Sequence, residues 1–520
     1  MIVRDEADVL SASLESIRAI ADEIVVLDTG STDRTPEIAQ QCGAVVDRAA
    51  WSSDFSAARN RCLDRVTGDW VLWLDAGEQL DRASAAFLRT FVGHEADPAK
   101  VYLLMIETPP GGTAVDAEQM AQPRLMPGHA GLRFTGRVRE TLRPAIERAG
   151  LQLDTFPARM VRHVRQHDPG RRTRIAYRNI ELALREASEL DCLPVRVSLA
   201  LGDAYAEIQA QDSARAAYRR AADAAAKGST EMLEAYYGLL SVYGTDAFFR
   251  DMQLGVSLEA LEIFPFDAQL LLVMGNCLRS KDRIDLATRC FEMAVTHGRV
   301  DLETWHLVEL AELAANALSL ALQTQDRDEN ARRVLEEALR CHHGSLRLRR
   351  RLIDLHVKHG RCDEAIAVSD WFAIRADERE PLRDAIRGAC RAAQGDWTPA
   401  LGYLQSAYVQ GCRDPICLRW LSVTLLSNGQ LEPARPVLHE WRRIEPGNAE
   451  IEAYLAAAEG TSGTAEGENP AEQPAGDPAS RQFRIDRGTT VLEAAPLLWP
   501  IISQATSVDF ALPAENRQRS

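Results

Sequence analysis

The sequence predicts two architectures in series: an α/β domain on a Rossmann-like, mostly parallel sheet, followed by an all-α solenoid of repeated helix pairs. Three observations predict this. Up to Leu80, short apolar runs alternate with stretches of helical periodicity, the pattern of parallel strands covered by helices. From about Leu184 to Glu459 the chain is Ala- and Leu-rich helix. Within that region small residues return at nearly constant spacing, the mark of stacked repeats. At 520 residues and 46% apolar content the chain can fill about three ordinary domains.

Taken in order, Met1-Ile2-Val3 is a short first strand, and Leu10, Leu14, Ile17 and Ile20 mark one face of a helix. Ile24 to Leu27 is too short for a helix and reads as a buried strand that breaks at Asp28-Thr29-Gly30-Ser31-Thr32-Asp33. That puts Asp28 at the carboxyl end of a strand, the edge where open α/β sheets bind ligands, with Gly30 allowing close backbone approach. Thr35 is placed to cap a helix with Pro36 at its first position, ending near Gly43, and Ala44 to Val46 is the next strand. Trp51 to Asn60 opens a helix with Ala58, Cys62 and Val66 four apart. Trp70 to Leu74 is a further strand that delivers Asp75 to the same rim as Asp28. Val101 to Ile106 continues the sheet, Pro109 to Gly112 is a loop over the acceptor side, and Pro123 to Met126 and Leu132 to Phe134 read as strands around a turn. Arg159 to Arg178, with seven arginines and two histidines, reads as a solvated connector helix rather than a phosphate-gripping site.

In the helical region Ala214, Ala287, Ala331, Ala365, Ala400 and Ala434 recur, the last four 34, 35 and 34 residues apart. A large apolar residue follows four positions later at Tyr218, Phe291, Leu335, Leu404 and Leu438, and turn glycines precede by five at Gly360, Gly395 and Gly429. This pattern resembles tetratricopeptide repeats, helix pairs whose alanines let neighbouring helices approach closely. The 73-residue gap after Ala214 holds one degenerate repeat around Tyr236 to Pro265, giving six clear repeats and one worn one. The expected domains are 1–170, 171–460, a disordered linker at 461–481 and a tail at 482–520, where Val491 to Ile502 is apolar enough to dock as a short helix broken at Pro500.

A net charge of -16 argues against general nucleic-acid binding, which needs clustered Lys and Arg. No run of eighteen apolar residues occurs and the first residues lack a signal-peptide pattern, so a cytoplasmic protein is expected. The ten cysteines are scattered without a C-x-x-C, and Cys341-His342-His343 reads as a polar turn, because adjacent histidines point in different directions.

The runs EIVVLDTGSTDRTPEIA, WSSDFSAARN and GDWVLWLDAGEQL, in that order, resemble glycosyltransferase family 2, inverting enzymes of the GT-A fold that use nucleotide-sugar donors. Phe134-Thr135-Gly136-Arg137-Val138-Arg139-Glu140 resembles the F-x-G-x-V-H-E element of that family, with Arg139 where His is usual. The resemblance covers Met1 to about Asn179 and implies that Asp28, Asp33, Asp54, Arg59, Asp75 and Arg124 bind a donor such as a UDP-sugar. It implies Glu140 as catalytic base, with His163 and His167 weaker candidates. It makes Asp75, with Glu78, the ligands of a divalent Mn or Mg ion, weakened because Gly77 stands where the second Asp of Asp-x-Asp is usual. Arg139 would then do part of the metal's work on the diphosphate. Relative to the family the first strand is short, so either it is clipped or the true start lies upstream. The implied function is transfer of a sugar to an acceptor, a peptide or protein presented by the repeats. The rival reading is a decayed transferase serving as a repeat scaffold for protein partners. Gly77, Arg139 and the short first strand favour it; the polar set Asp28, Asp33, Asp54, Arg59, Asn60 and Asp75 argues against it.

Overall fold

The computed structural model describes residues 1–109, 117–163, 169–244, 247–371, 376–446 and 448–459. The 461–481 linker, the 482–520 tail, His167 and most of the Pro109 to Gly112 loop fall outside the described residues. Met1 to Leu310 forms one compact unit, and the helices from Ala311 onward form another.

The first unit opens with β1 (Ile2–Val3), α1 (Leu10–Ile17), β2 (Val25–Asp28), α2 (Thr35–Gln41), β3 (Val45–Arg48) and α3 (Phe55–Leu63). β1, β2 and β3 form a parallel three-stranded sheet with Val3 opposite Asp28 and Asp28 opposite Arg48, so the strands reach one common carboxyl edge. Leu10, Leu14 and Ile17 of α1 are buried, as their helical spacing requires. Thr35 is the first residue of α2 rather than its cap: its hydroxyl bonds Asp33 and accepts the Glu6 amide.

The chain continues through β4 (Trp70–Leu72), β5 (Glu78–Leu80), α4 (Arg82–His94), β6 (Lys100–Thr108), β7 (Glu118–Pro127), α5 (Arg143–Arg148) and β8 (Gln152–Arg162). These strands make a second, mixed sheet in the order β4-β7-β6-β8-β5, in which β6 and β8 run parallel and the other neighbours antiparallel. Parallel pairing therefore governs the first three strands, and Asp75 follows a strand of the second sheet. The two sheets are joined through packing, since Val25 and Leu27 share an apolar cluster with Val71, Trp73 and Phe134.

Leu132 to Phe134 is not a strand, because the Phe134 amide and carbonyl are both taken by the Asn60 side chain, at 2.8 and 2.9 Å, leaving no ladder to join. The arginine-rich segment is not one connector helix: Arg159 to Arg162 completes β8, where Phe156, Ala158 and Met160 alternate inward with period two.

Helices follow: α6 (Pro169–Glu189), α7 (Val195–Glu207), α8 (Gln211–Ala224), α9 (Thr230–Tyr243), α10 (Arg250–Ile263), α11 (Ala268–Ser280) and α12 (Ile284–His297). The chain then returns to the sheet, a step the sequence reading did not anticipate. β9 (His306–Leu307) pairs antiparallel with β7, supported by the Ala121 amide on the Leu302 carbonyl at 2.6 Å and the Val308 amide on the Ala117 carbonyl at 2.9 Å.

Further helix pairs follow as α13 (Leu310–Thr324), α14 (Asp328–Cys341), α15 (Leu346–Lys358), α16 (Cys362–Ser369), α17 (Ala376–Ala393), α18 (Trp397–Val409), α19 (Pro415–Ser427) and α20 (Leu431–Ile444), closed by α21 (Ala449–Glu459). The repeat reading holds in physical detail. Ala214, Ala287, Ala331, Ala365, Ala400 and Ala434 lie on the second helix of their pairs and are fully buried, and Gly360, Gly395 and Gly429 turn the chain at positive φ. The worn repeat is the pair α9 and α10.

Candidate active site

Three of the six donor-binding candidates are engaged by nearby backbone and hydroxyl groups. Asp28 is buried, and its Oδ1 accepts the Ser31 amide at 3.0 Å and the Ser31 hydroxyl at 2.6 Å. Asp33 accepts the Thr35 and Ala7 amides at 2.9 and 3.2 Å. Asp54 is the N-cap of α3, accepting the Ala57 amide at 2.9 Å. Each serves first to hold the carboxyl edge of the parallel sheet in shape.

The other candidates form one connected array. Arg59 projects from α3 and lies over the Trp73 and Phe134 rings at 4.7 and 5.2 Å. Its Nη1 donates to Asp75 Oδ1 at 2.8 Å and its Nε to Glu140 Oε1 at 2.5 Å. The Trp73 indole donates to the same Asp75 oxygen at 2.9 Å. Arg124 of β7 joins Asp75 to Glu78 at 3.1 and 2.7 Å, and Arg162 also bonds Glu78 at 2.7 Å. Burial alone would raise the Asp75 carboxyl, but Arg59 and Arg124 outweigh it and hold the group well below the usual carboxylate range. Sequence reading did not pick out Trp73 or Arg162 as members of this array. Trp73 falls in the apolar run before Asp75, where an indole N–H that needs an acceptor was the available signal. Arg162 was masked by six neighbouring arginines.

Arg139 departs from expectation. It has a positive φ of 49°, and its guanidinium turns away to the helices, pairing with Glu234 of α9 and, at 3.2 Å, with Asp203 of α7. Those two carboxylates satisfy the charge that was expected to meet a diphosphate. The neighbouring residues dock the same way. The Arg137 amide donates to Glu186 at 2.9 Å and its guanidinium to Glu189 at 2.7 Å, while Arg196 bonds Glu186 and, at 3.1 Å, the Val138 carbonyl.

The family model for Glycosyl transferase family 2 matches residues 1–96. That match lies in the N-terminal part of the chain and spans under a fifth of it. Its similarity extends to a TPR repeat-containing protein of Synechococcus elongatus, 55% identical over 80 residues, 15% of this chain and 20% of that protein. An uncharacterized glycosyltransferase of Rickettsia felis is 31% identical over 110 residues, 20% of this chain and 38% of its own. The SPbeta prophage-derived glycosyltransferase SunS of Bacillus subtilis is 34% identical over 79 residues, 15% of this chain and 18% of SunS. The chain thus spans well under half of each of these relatives. Among solved structures, a tetratricopeptide repeat protein from Parabacteroides merdae aligns over 51% of this chain and 98% of its own, at 11% identity and a TM-score of 0.37.

The array does not offer a metal cage at Asp75. Both Asp75 oxygens already accept from guanidinium groups and one also from an indole, and Glu78, the second expected ligand, is fully buried and paired with Arg124 and Arg162. Gly77 cannot be read as a simple loss of carboxylate. Its φ is +93°, and a Cβ there would sit 3.3 Å from the His163 carbonyl oxygen, so the turn itself selects glycine. The residues present fit a site neutralised by arginine better than one built for a hard cation. Among the described residues no helix is long and apolar enough to cross a membrane.

Proposed function

We propose that the chain is an inverting glycosyltransferase that moves a sugar from a nucleotide donor, UDP-linked in the first instance, to an acceptor hydroxyl or thiol. One observation carries the reading: the Asp75–Arg59–Glu140 bridge, in which one arginine of α3 ties a carboxylate just after β4 to a half-buried glutamate. In this reading Glu140 takes the acceptor proton, and the incoming diphosphate competes with Asp75 and Glu140 for the Arg59 guanidinium. Asp28, Asp33 and Asp54 shape the base and ribose pocket. Further cations stand on α6: Arg178 lies 4.9 Å over Phe55 at the start of α3, and Arg171 pairs with Glu6 at 3.0 Å just after β1. The repeats are proposed to present a peptide or protein acceptor, the setting being cytoplasmic, in keeping with ten cysteines that are all free thiols.

A second reading has its own support. Because the array's charges are mutually satisfied, the domain also suits a scaffold that no longer turns over. Donor hydrolysis with a panel of UDP- and GDP-sugars, with chelator or with Mn²⁺, on the full chain and on Asp75→Ala separates the two. The transferase reading expects release of the sugar from at least one donor, largely retained in chelator and lost in Asp75→Ala. Equal background release from both proteins supports the scaffold, and strict Mn²⁺ dependence overturns the arginine-neutralised site.

A further inference from the structure

The loop that carries Glu140 is held on one side by the Phe55 amide, which donates to the Arg137 carbonyl at 3.0 Å, and by Arg59, and on the other by the helices behind it. Reciprocal bonds between Thr135 and Thr141, at 2.9 and 3.0 Å, close the loop at its base, and Glu140 is the residue just before that closure. At its tip the Arg137 amide and guanidinium go to Glu186 and Glu189 of α6, and the Val138 carbonyl goes to Arg196 of α7. Val138 itself packs into an apolar cluster with Leu182, Val197 and Leu201. Gly136 reports how close the approach is: its φ is +105°, and a Cβ there would lie 2.5 Å from the Arg196 guanidinium.

Arg139 is the informative member. A non-glycine residue at φ 49° is in a sparsely populated conformation that persists when its surroundings hold it. What holds it is the ion pair with Glu234 and Asp203, contributed by α9 and α7. Asp203 is fixed in turn by the Tyr218 hydroxyl of α8 at 2.7 Å. With the guanidinium released, the Arg139 backbone is expected to relax to negative φ, turning the peptide that leads into Glu140 and moving that carboxylate off Arg59.

We infer that Glu234 and Asp203, acting through Arg139, are positioning residues for Glu140, so that the helices α7 to α9 are part of the catalytic apparatus and not an appended acceptor platform. This rests on the transferase reading and on Glu140 as its base. It also gives Arg139 a role other than holding diphosphate: it trades a ligand-facing side chain for a rigid link to the helices. Misplacement of a catalytic group by about 1 Å costs on the order of a hundredfold in rate, so a loosened loop is expected to act on turnover more than on donor affinity.

The test is steady-state donor hydrolysis by the full chain, using whichever UDP- or GDP-sugar the wild type turns over. Glu234→Gln is expected to lower kcat by roughly tenfold to a hundredfold with donor KM nearly unchanged. Glu234→Asp should recover a substantial part. Glu259→Gln, which removes the charge pair between Arg219 of α8 and Glu259 of α10, is the control expected to leave both constants unchanged. Hydrogen exchange at the amides of residues 137–141 provides a readout independent of activity, and faster exchange in Glu234→Gln is expected. A wild type inert toward every donor overturns the transferase reading. An active wild type whose Glu234→Gln variant keeps its kcat, whether or not the loop loosens, overturns the positioning role alone. So does an equal loss in Glu259→Gln, which would mark a general destabilisation.

Discussion

Asp75 shows how a single carboxylate is tuned by what surrounds it. Its folded-state acidity is set by Arg59 and Arg124 against an opposing burial effect, and the outcome is a depressed value. A depressed carboxyl stabilises the fold fully above its unfolded value, near 3.9, and loses that contribution only as pH falls through the lower folded value. Asp75→Asn should therefore cost roughly 2–4 kcal/mol at pH 7, because Arg59 and Arg124 each lose one of their two carboxylate partners. The gap in stability from wild type should be the same at pH 5 and should narrow only below about pH 4. Denaturant melts at pH 7, 5 and 3 on both proteins measure it, and a gap that closes between pH 7 and 5 contradicts the arrangement. Arg59→Lys tests the other end of the bridge. A lysine cannot reach Asp75 and Glu140 with a planar fork while covering Trp73, so it should lose both donor turnover and about 1–3 kcal/mol of stability despite keeping its charge.

Elements were legible in the sequence where one periodicity dominated. The helix of Leu10, Leu14 and Ile17 and the strand before Asp28 were plain, because burial on one face leaves an unambiguous pattern. Leu132 to Phe134 was misread because an apolar triplet carries no mark that a distant Asn60 amide will claim its backbone. The end of β8 was misread because its arginines drew attention from the alternation of Phe156, Ala158 and Met160. In the repeats the alanines were read correctly, while the glycines facing the large residues Tyr218 and Phe291 were missed. Gly275 on α11 faces Phe291 on α12, and a Cβ there would lie 2.3 Å from the ring. Helix propensity alone favours alanine over glycine by about 1 kcal/mol. Phe291 is fully buried, so overpacking, worth about 1–3 kcal/mol, should win. Gly275→Ala is thus expected to lower thermal stability, and adding Phe291→Leu should return part of the loss. A Gly275→Ala protein more stable than wild type would show that the helix pair relaxes apart.

At the scale of the whole molecule, the order of domains could be read from the sequence, but the return of the chain could not. Nothing local to His306-Leu307 distinguishes it as a strand, and its partner β7 lies far upstream, so the pairing exists only in three dimensions. The same holds for the helices that complete the loop of Glu140, whose acidic residues look like ordinary solvated faces until Arg137, Arg139 and Arg196 meet them. The consequence is a prediction about where this protein can be cut. The compact unit runs to Leu310, whereas sequence reading placed a boundary at residue 170. A chain ended there keeps Trp51, Phe55 and Val138 but loses Leu182, Val197 and Leu201, the residues that cover them. At roughly 1.5–3 kcal/mol for each large apolar side chain left uncovered, the deficit is on the order of 5–9 kcal/mol. The unpaired edge of β7 and the unmet charges of Arg137 and Arg139 add to it. A typical domain has about 5–15 kcal/mol in total to lose. The fragment 1–170 should accordingly be insoluble or lack a cooperative melt, while the fragment 1–310 should unfold in a single transition and keep whatever donor hydrolysis the full chain has. Cooperative unfolding of the shorter fragment, with native-like near-ultraviolet dichroism, would return the helices to the status of an attachment.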